Sequence, residues 1–231
     1  MTDEIQQDSQ PGHVEARARR SLPRGLILLA VTALATVGFI AIALRVVEGH
    51  ADAFDRWWAL EIHRLLDSNV TDAVMITFTK IGDSPCLYGS TAIVSLLALR
   101  RRLWPLVIVL LANALFSLLI NMALKYWFLR QRPTLFDEIT RPATYSFPSG
   151  HAMSAMAVYG GLAAVLIGLY PKQRWIIVAA ASVAIVNIGL SRVFLGVHWP
   201  LDVVAGWIAG VLFVVATVHI VHRLLARRKP D

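Results

Sequence analysis

The composition of the chain excludes an ordinary soluble domain. Its 231 residues are 57% hydrophobic and only 16% charged, whereas globular proteins are about 45–50% apolar and about 25% charged. The net charge of +7 would suggest a nucleic-acid partner in a soluble protein. Here the cations flank long apolar runs, a pattern typical of membrane topology, so we expect a bilayer and no nucleic acid as the partner. The single cysteine, Cys86, excludes an internal disulfide and a cysteine-based zinc site.

The two ends of the chain differ from its middle. Residues 1–24 are polar and lack apolar periodicity, which predicts a disordered cytoplasmic tail. The run Gly25–Val47 matches the roughly 20 residues needed to cross a bilayer and is the first predicted span. Residues 25–225 are therefore predicted to form one all-α integral membrane domain, followed by a basic cytoplasmic tail at 226–231.

An amphipathic segment, Asp52–Leu66, follows the first span. It carries adjacent tryptophans, which suit the headgroup level of a membrane. Its apolar residues fall on one helical face: Phe54, Trp58, Ile62, Leu65 and Leu66. We predict an interfacial helix on the extracytoplasmic side, which either anchors the domain or borders lipid access to a site.

Five further spans are predicted from apolar runs, which makes six. The second of the six is short, so it must extend toward Ile81 or lie in a locally thinned bilayer. The five cover Pro85–Leu99, Leu103–Leu124, Ala152–Tyr170, Trp175–Val193 and Pro200–Leu225.

The distribution of cations predicts the orientation. With both termini in the cytoplasm, most of the 22 Lys and Arg residues lie inside, including Arg100–Arg102 and Arg227–Lys229. We expect the protein to lie in the bacterial inner (plasma) membrane in this orientation. A second cluster of cations, from Lys125 to Arg141, then lies outside and opposes the rule, so a function is expected to require it.

The outer cluster contains Lys125 and, seven residues later, Arg132-Pro133. Seven residues are two helical turns, so both cations face the same way if the third span continues outward. Pro133 would move Arg132 out of the helical region and fix its direction. The alternative is a group of interfacial cations that extend toward the headgroups.

A second polar stretch, YSFPSGHAMS, opens the fourth span at Tyr145–Ser154. Pro148 favours a turn, Ser149 is a good N-cap, and Gly150 allows close approach to the backbone. A helix N-terminus attracts anions, and His151 would lie beside the bound anion. The alternative is an ordinary cap followed by an interfacial histidine.

A third stretch, SRVFLGVHWPLD, joins the fifth and sixth spans. Arg192 at a span end is costly unless it faces a polar cavity or the interface. Asp202 follows His198 by four residues at a helix start, so it can accept from one ring nitrogen and leave the other as a nucleophile or base. The alternative is a simple carboxylate at a helix N-terminus.

All three stretches fall at the outer ends of spans three to six. Together they supply three cations, a helix N-terminus, a histidine oriented by a carboxylate, and a second histidine. This combination fits phosphoryl transfer, in which charge stabilisation and positioning dominate.

The motifs resemble those of the type 2 phosphatidic-acid phosphatase family, which shares a superfamily with vanadium haloperoxidases. That family is marked by K-x6-RP, PSGH and SR-x5-H-x3-D. In this sequence they are Lys125–Pro133, Pro148–His151 and Ser191–Asp202. With the six-span layout, the similarity extends over about residues 25–225.

The resemblance implies a role for each motif residue. His198 would attack phosphorus and become a phosphohistidine, while Asp202 holds the His198 ring. His151 would protonate the leaving oxygen and later activate water. The phosphoryl oxygens would be bound by the remaining residues: Lys125, Arg132, Ser149, Gly150 and Arg192. No carboxylate cluster accompanies the motifs, so we expect no metal ion and no cofactor.

The function expected from the resemblance is hydrolysis of a lipid phosphate or diphosphate. Undecaprenyl diphosphate, phosphatidylglycerol phosphate and phosphatidic acid are all plausible substrates, because the motifs recognise the phosphate and not the lipid tail. The first alternative is a lipid phosphotransferase that uses the same site. A vanadate-dependent haloperoxidase and a non-catalytic lipid-binding protein are less favoured, because the chain has six predicted spans and intact catalytic positions.

Overall fold

The structure, a computed structural model, describes residues 24–136 and 143–226, and these form only helices, turns and loops. Residues 1–23 and 227–231 of the two predicted tails, and Arg141, lie outside the described residues. A short 3-10 turn at Pro171–Gln173 separates two of the helices. The α-helices are α1 (Arg24–Val47), α2 (Asp52–Leu66), α3 (Asn69–Ile81), α4 (Ser84–Arg100), α5 (Trp104–Phe128), α6 (Gly150–Leu169), α7 (Arg174–Phe194) and α8 (Pro200–Ala226).

Five helical segments of the described chain are long and apolar enough to cross a bilayer. They contain α1, α5, α6, α7 and α8, whose outer faces expose many large apolar side chains, as lipid contact requires. The integral membrane, all-α fold predicted from the sequence is therefore confirmed.

The second predicted span, Pro85–Leu99, corresponds to α4, which has 17 residues. At 1.5 Å per residue it is about 26 Å long, slightly less than a typical hydrocarbon core. It does not extend toward Ile81, because Gly82 closes α3 and Asp83 adopts an extended conformation as the N-cap of α4. Of the two expectations for this span, the extended helix is wrong.

The amphipathic segment is a helix with the predicted bounds, Asp52–Leu66. Its aromatic face is exposed, with Phe54, Trp57 and Trp58 each at least 40% accessible. The opposite face packs into the protein through Asp55 and Ala59. The placement of this helix at the membrane interface remains a prediction.

Helix α3 was not predicted. Ser68 caps its N-terminus by accepting a hydrogen bond from the Thr71 amide at 3.2 Å, and the helix packs against α7. It lies in the sequence interval that the prediction left between the amphipathic segment and the second span.

Helix α6 lies at the centre of the bundle and contacts α4, α5, α7 and α8. Its approach to α8 is close because glycines of α8 face it. A Cβ atom at Gly206 would lie 2.7 Å from the Ser149 carbonyl oxygen, and one at Gly210 would lie 2.5 Å from Met156 Cβ. This packing places the N-terminus of α6 directly against the first turns of α8.

Candidate active site

Four helix ends meet at one end of the bundle and carry the predicted site residues. Lys125 lies in the last turn of α5 and Arg192 in the last turn of α7. His151 and Asp202 lie in the first turns of α6 and α8. Because successive helices run in opposite directions, residues far apart in sequence converge there.

His198 lies in the loop before α8 and is only 2% exposed. Its Nδ1 is 3.4 Å from Asp202 Oδ2, and its Nε2 is 3.2 Å from Nη1 of Arg132. A guanidinium only donates, so Nε2 must accept and Nδ1 must carry the hydrogen. The geometry therefore fits a neutral imidazole with its lone pair on Nε2.

Electrostatics favour the same neutral state. Burial lowers the pKa of His198 to about 3; Asp202 opposes this shift, while Lys125 and Arg132 add to it. The ring is uncharged at neutral pH, which a nucleophilic nitrogen requires.

Asp202 is fully buried and accepts several hydrogen bonds. Its Oδ2 accepts from the Trp199 amide at 2.9 Å and from the Ser146 hydroxyl. Its Oδ1 accepts from Arg130 Nη1 at 2.6 Å. The carboxylate that faces His198 is thus held at both oxygens.

The two cations of the K-x6-RP motif, Lys125 and Arg132, lie in different backbone elements. Helix α5 carries Lys125 but ends at Phe128, where Leu129 adopts a left-handed conformation with φ 52°. Arg132 therefore lies beyond the helix, and the expectation of one continuous helix carrying both cations does not hold. Lys125 and Arg132 nevertheless converge, since both donate to the carbonyl oxygen of Tyr145.

Arg192 is the third predicted cation and is 9% exposed. One terminal nitrogen donates to the Thr79 hydroxyl on α3. Its Nε is buried and has no hydrogen-bond partner in the described part of the chain. Lys125, Arg132 and Arg192 lie close enough to repel one another. A buried unpaired donor among mutually repelling cations is the signature of an anion site.

The PSGH turn is anchored to neighbouring helices. Ser149 caps α6 by accepting from the Ala152 amide at 3.5 Å, and its own amide donates to the Asp202 carbonyl at 3.0 Å. A Cβ at Gly150 would lie 2.9 Å from Asn121 Oδ1. The Asn121 side chain is thus the close neighbour that a larger residue at this position would meet.

His151 is paired with a residue that the sequence analysis missed. Its Nε2 is 2.8 Å from Oδ1 of Asp83, one of the two residues between α3 and α4. A carboxylate in this position orients the imidazole ring at the mouth of the site.

The structure therefore brings the predicted residues to one end of the bundle. Direct contacts link Arg132, His198 and Asp202, whereas His151 and Arg192 contact partners from other elements. The partners that sequence analysis missed are Asp55, Thr79, Asp83, Arg130 and Ser146. Two of them lay close to a motif: Arg130 is two residues before the motif arginine, and Ser146 is two residues before Pro148 of PSGH.

Comparison with known proteins identifies the family. A model of the PAP2 superfamily matches residues 102–226. Phosphatidylglycerophosphatase B of Bacillus subtilis is 36% identical over 143 residues, which cover 60% of this chain and 70% of that protein. The undecaprenyl-diphosphatase of Sulfolobus acidocaldarius is 30% identical over 159 residues, covering 65% of this chain and 72% of that one.

A solved structure has the same architecture. The transmembrane PAP2-type phosphatidylglycerolphosphate phosphatase from Bacillus subtilis superposes with a TM-score of 0.75 at 27% identity. The match covers 86% of this chain and 97% of that protein. The sequence motifs, the helical membrane fold and these similarities agree: the chain belongs to the PAP2 superfamily.

Proposed function

We propose that the chain is a membrane phosphatase that hydrolyses a lipid phosphate or diphosphate through a phosphohistidine at His198. The chain belongs to the PAP2 superfamily, and its named relatives are phosphatases that act on lipids, which supports a phosphoric-ester hydrolase. The observation that carries the mechanism is the buried, neutral His198, whose Nε2 lone pair faces Arg132.

In the first step, Nε2 of His198 attacks phosphorus and the bond from phosphorus to the leaving oxygen breaks. That oxygen takes the bonding electron pair and a proton from His151. The His198 ring becomes positively charged, and Asp202, which accepts from Nδ1, stabilises this charge. The products are the dephosphorylated lipid and a phosphohistidine.

Bound phosphate replaces the contacts made in the free site. Arg132, which donates to Nε2 of His198 in the free site, donates to a phosphoryl oxygen instead. The unpaired Nε of Arg192 supplies a further hydrogen bond. Lys125 adds charge, and the start of α6 at Ser149 and Gly150 adds the positive end of its dipole. These groups stabilise the charge of the phosphoryl group in the transition state.

In the second step, water attacks phosphorus and gives a proton to His151. The bond between phosphorus and nitrogen breaks, its electron pair returns to Nε2, and inorganic phosphate leaves. Neither step calls for a metal ion or cofactor, because the three cations and the helix start supply the positive charge.

We place the site on the extracytoplasmic face of the bacterial plasma membrane, with both termini in the cytoplasm. Arg24 at the start of α1 contacts His222 near the end of α8, so both ends of the domain lie away from the site. Helix α4 starts beside His151, through Asp83, and ends where Arg101 donates to Tyr170 at 3.1 Å. These contacts support six crossings.

The test is phosphate release by purified protein in detergent with excess chelator. The substrates are phosphatidic acid, phosphatidylglycerol phosphate and undecaprenyl diphosphate, each with and without a second lipid acceptor. We expect release from at least one, inhibition by vanadate as a mimic of the transferring phosphoryl group, and no activity in His198→Ala. His50→Ala, at an exposed histidine, is the matched control. A magnesium requirement, or phosphate recovered on the acceptor lipid, would contradict metal-independent hydrolysis.

A further inference from the structure

A buried ion-pair network joins the amphipathic helix α2 to the carboxylate that holds His198. Arg130 donates from Nη1 to Asp202 Oδ1 at 2.6 Å and from Nη2 to Asp55 Oδ2 at 2.7 Å. Asp55 and Asp202 are both 0% exposed. None of the three family motifs requires Arg130 or Asp55.

Asp55 is bound on both of its carboxylate oxygens. Its Oδ1 accepts from the Leu201 amide at 2.8 Å, which is one of the free amides in the first turn of α8. The residue thus holds Arg130 and also caps the helix that carries Asp202. It lies on the buried face of α2, opposite the exposed aromatic residues.

Only an arginine suits the position between the two carboxylates. A guanidinium presents several donors in a rigid plane and can bridge two acceptors, whereas a lysine ammonium is a single point charge. Two further contacts hold Arg130. Its guanidinium lies 5.6 Å from the Trp199 ring centre, and its carbonyl oxygen accepts from the Ser146 backbone amide at 2.8 Å. The Ser146 hydroxyl in turn donates to Asp202.

The network determines how Asp202 meets the His198 ring. With Oδ1 engaged by Arg130, rotation of the carboxylate is restricted and Oδ2 is presented to Nδ1. The Oδ2 atom held against the ring in this way is well placed to stabilise an imidazole that becomes cationic on phosphorylation.

We propose that Arg130 and Asp55 are positioning residues for phosphohistidine formation. Asp55 holds Arg130, and Arg130 holds the Asp202 carboxylate in the orientation that accepts from His198. This inference rests on the proposed function of His198, and it assigns to α2 a role in catalysis in addition to any role at the membrane surface.

The test is a double-mutant cycle on phosphate release by the full chain, with kcat and KM measured separately. Arg130→Gln and Asp55→Asn should each lower kcat about 10- to 150-fold, the rate equivalent of one charge-assisted hydrogen bond. KM should change less than about threefold, because neither residue touches substrate. In an Asp202→Asn background, Arg130→Gln should cost less than about threefold more, because its effect passes through Asp202.

Two further variants keep the test decisive. Arg130→Gln leaves Asp55 as a buried unpaired carboxylate, so the cycle is repeated in Asp55→Asn, which removes that charge and retains an acceptor for Leu201. Arg130→Lys should restore little of the kcat. The inference would be overturned if the effects of Arg130→Gln and Asp202→Asn on kcat were fully additive. It would also be overturned if Arg130→Gln raised KM strongly or left kcat unchanged.

Activity of His198→Ala separates this inference from the proposed function. If His198→Ala retains activity, the proposed function itself fails. If His198→Ala is inactive and Arg130→Gln is unimpaired, only the positioning role fails.

Discussion

The most unusual residue of the site is a buried imidazole surrounded by cations. His198 is surrounded by protein and not by water, and this burial lowers its pKa to about 3, compared with about 6.5 for an exposed histidine. The ring therefore stays neutral at physiological pH, as the proposed role of nucleophile requires. The folded protein is consequently less stable in acid, because His198 takes up a proton in the unfolded chain and not in the folded one.

The pH dependence of stability follows from this difference. Since the pKa of folded His198 lies below its unfolded value, the contribution of this residue is complete above about pH 6.5 and is lost as the pH falls toward 3. Between pH 7 and pH 5 the free energy of unfolding should fall by about 2 kcal/mol because of this residue. Denaturation in detergent at both pH values should show a smaller fall in His198→Gln than in wild type, by about that amount. Parallel profiles for the two proteins would contradict a buried neutral ring.

The unpaired Nε of Arg192 leads to a second prediction at this scale. Lysine keeps the charge but lacks this donor, so Arg192→Lys should weaken inhibition by vanadate about 10- to 150-fold, the equivalent of one charge-assisted hydrogen bond. The matched control is Arg174→Lys at the exposed other end of the same helix. An equal inhibition constant in Arg192→Lys and wild type would exclude Arg192 Nε from the phosphate site.

At the scale of the helices, the site depends on how closely α6 approaches α8. The Ser149 carbonyl lies against Gly206, and the Ser149 amide is bonded to the Asp202 carbonyl. The PSGH turn is therefore bonded directly to the helix that carries Asp202. The separation of α6 and α8 sets the distance between His151 and His198, the proposed acid and nucleophile.

Enlarging Gly206 tests this dependence. The new Cβ of Gly206→Ala would meet backbone, 2.7 Å from the Ser149 oxygen, so the turn must move. Overpacking of this kind costs about 1–3 kcal/mol, and a displacement of about 1 Å at a catalytic group can cost on the order of 100-fold in kcat. Gly89→Ala on α4, where nothing lies within 4 Å of the added atom, is the control. Full kcat in Gly206→Ala would show that the site tolerates a wider separation.

Apolar runs and motif spacing predict most of the architecture, because both are local in sequence. The helix bounds of Asp52–Leu66 and the His198–Asp202 pairing follow from periodicity and from a four-residue spacing. The pairing of Arg130 with Asp55 and that of His151 with Asp83 join residues 75 and 68 positions apart. Such partners depend on tertiary packing and leave no periodic signal, and α3 was missed because its apolar face is too short to resemble a span.

For the whole molecule, the central relation is that the site lies at one end of the bundle, whereas the start of α1 and the end of α8 lie at the other. The Arg24–His222 contact joins the start of α1 to the end of α8, while the start of α6 carries the PSGH turn of the proposed site. An outward site would act on lipids that have reached the outer leaflet, which suits recycling of carrier lipid phosphates.

Cysteine labelling tests this orientation. In a Cys86→Ser background, a membrane-impermeant thiol reagent applied to intact cells should label Thr134→Cys, which lies at the site end of the bundle. It should not label Gln173→Cys, in the turn between α6 and α7 at the other end. The reverse pattern would place the site in the cytoplasm.

The most direct measurement is detection of phosphate on His198 during turnover. Protein mixed rapidly with a lipid labelled in its phosphate and then quenched in alkali should carry label that is stable to base, labile to acid, and located at His198 by mass spectrometry. His198→Ala should carry none, and His50→Ala should match wild type. Turnover without a labelled protein, or label on another residue, would contradict a phosphohistidine at His198.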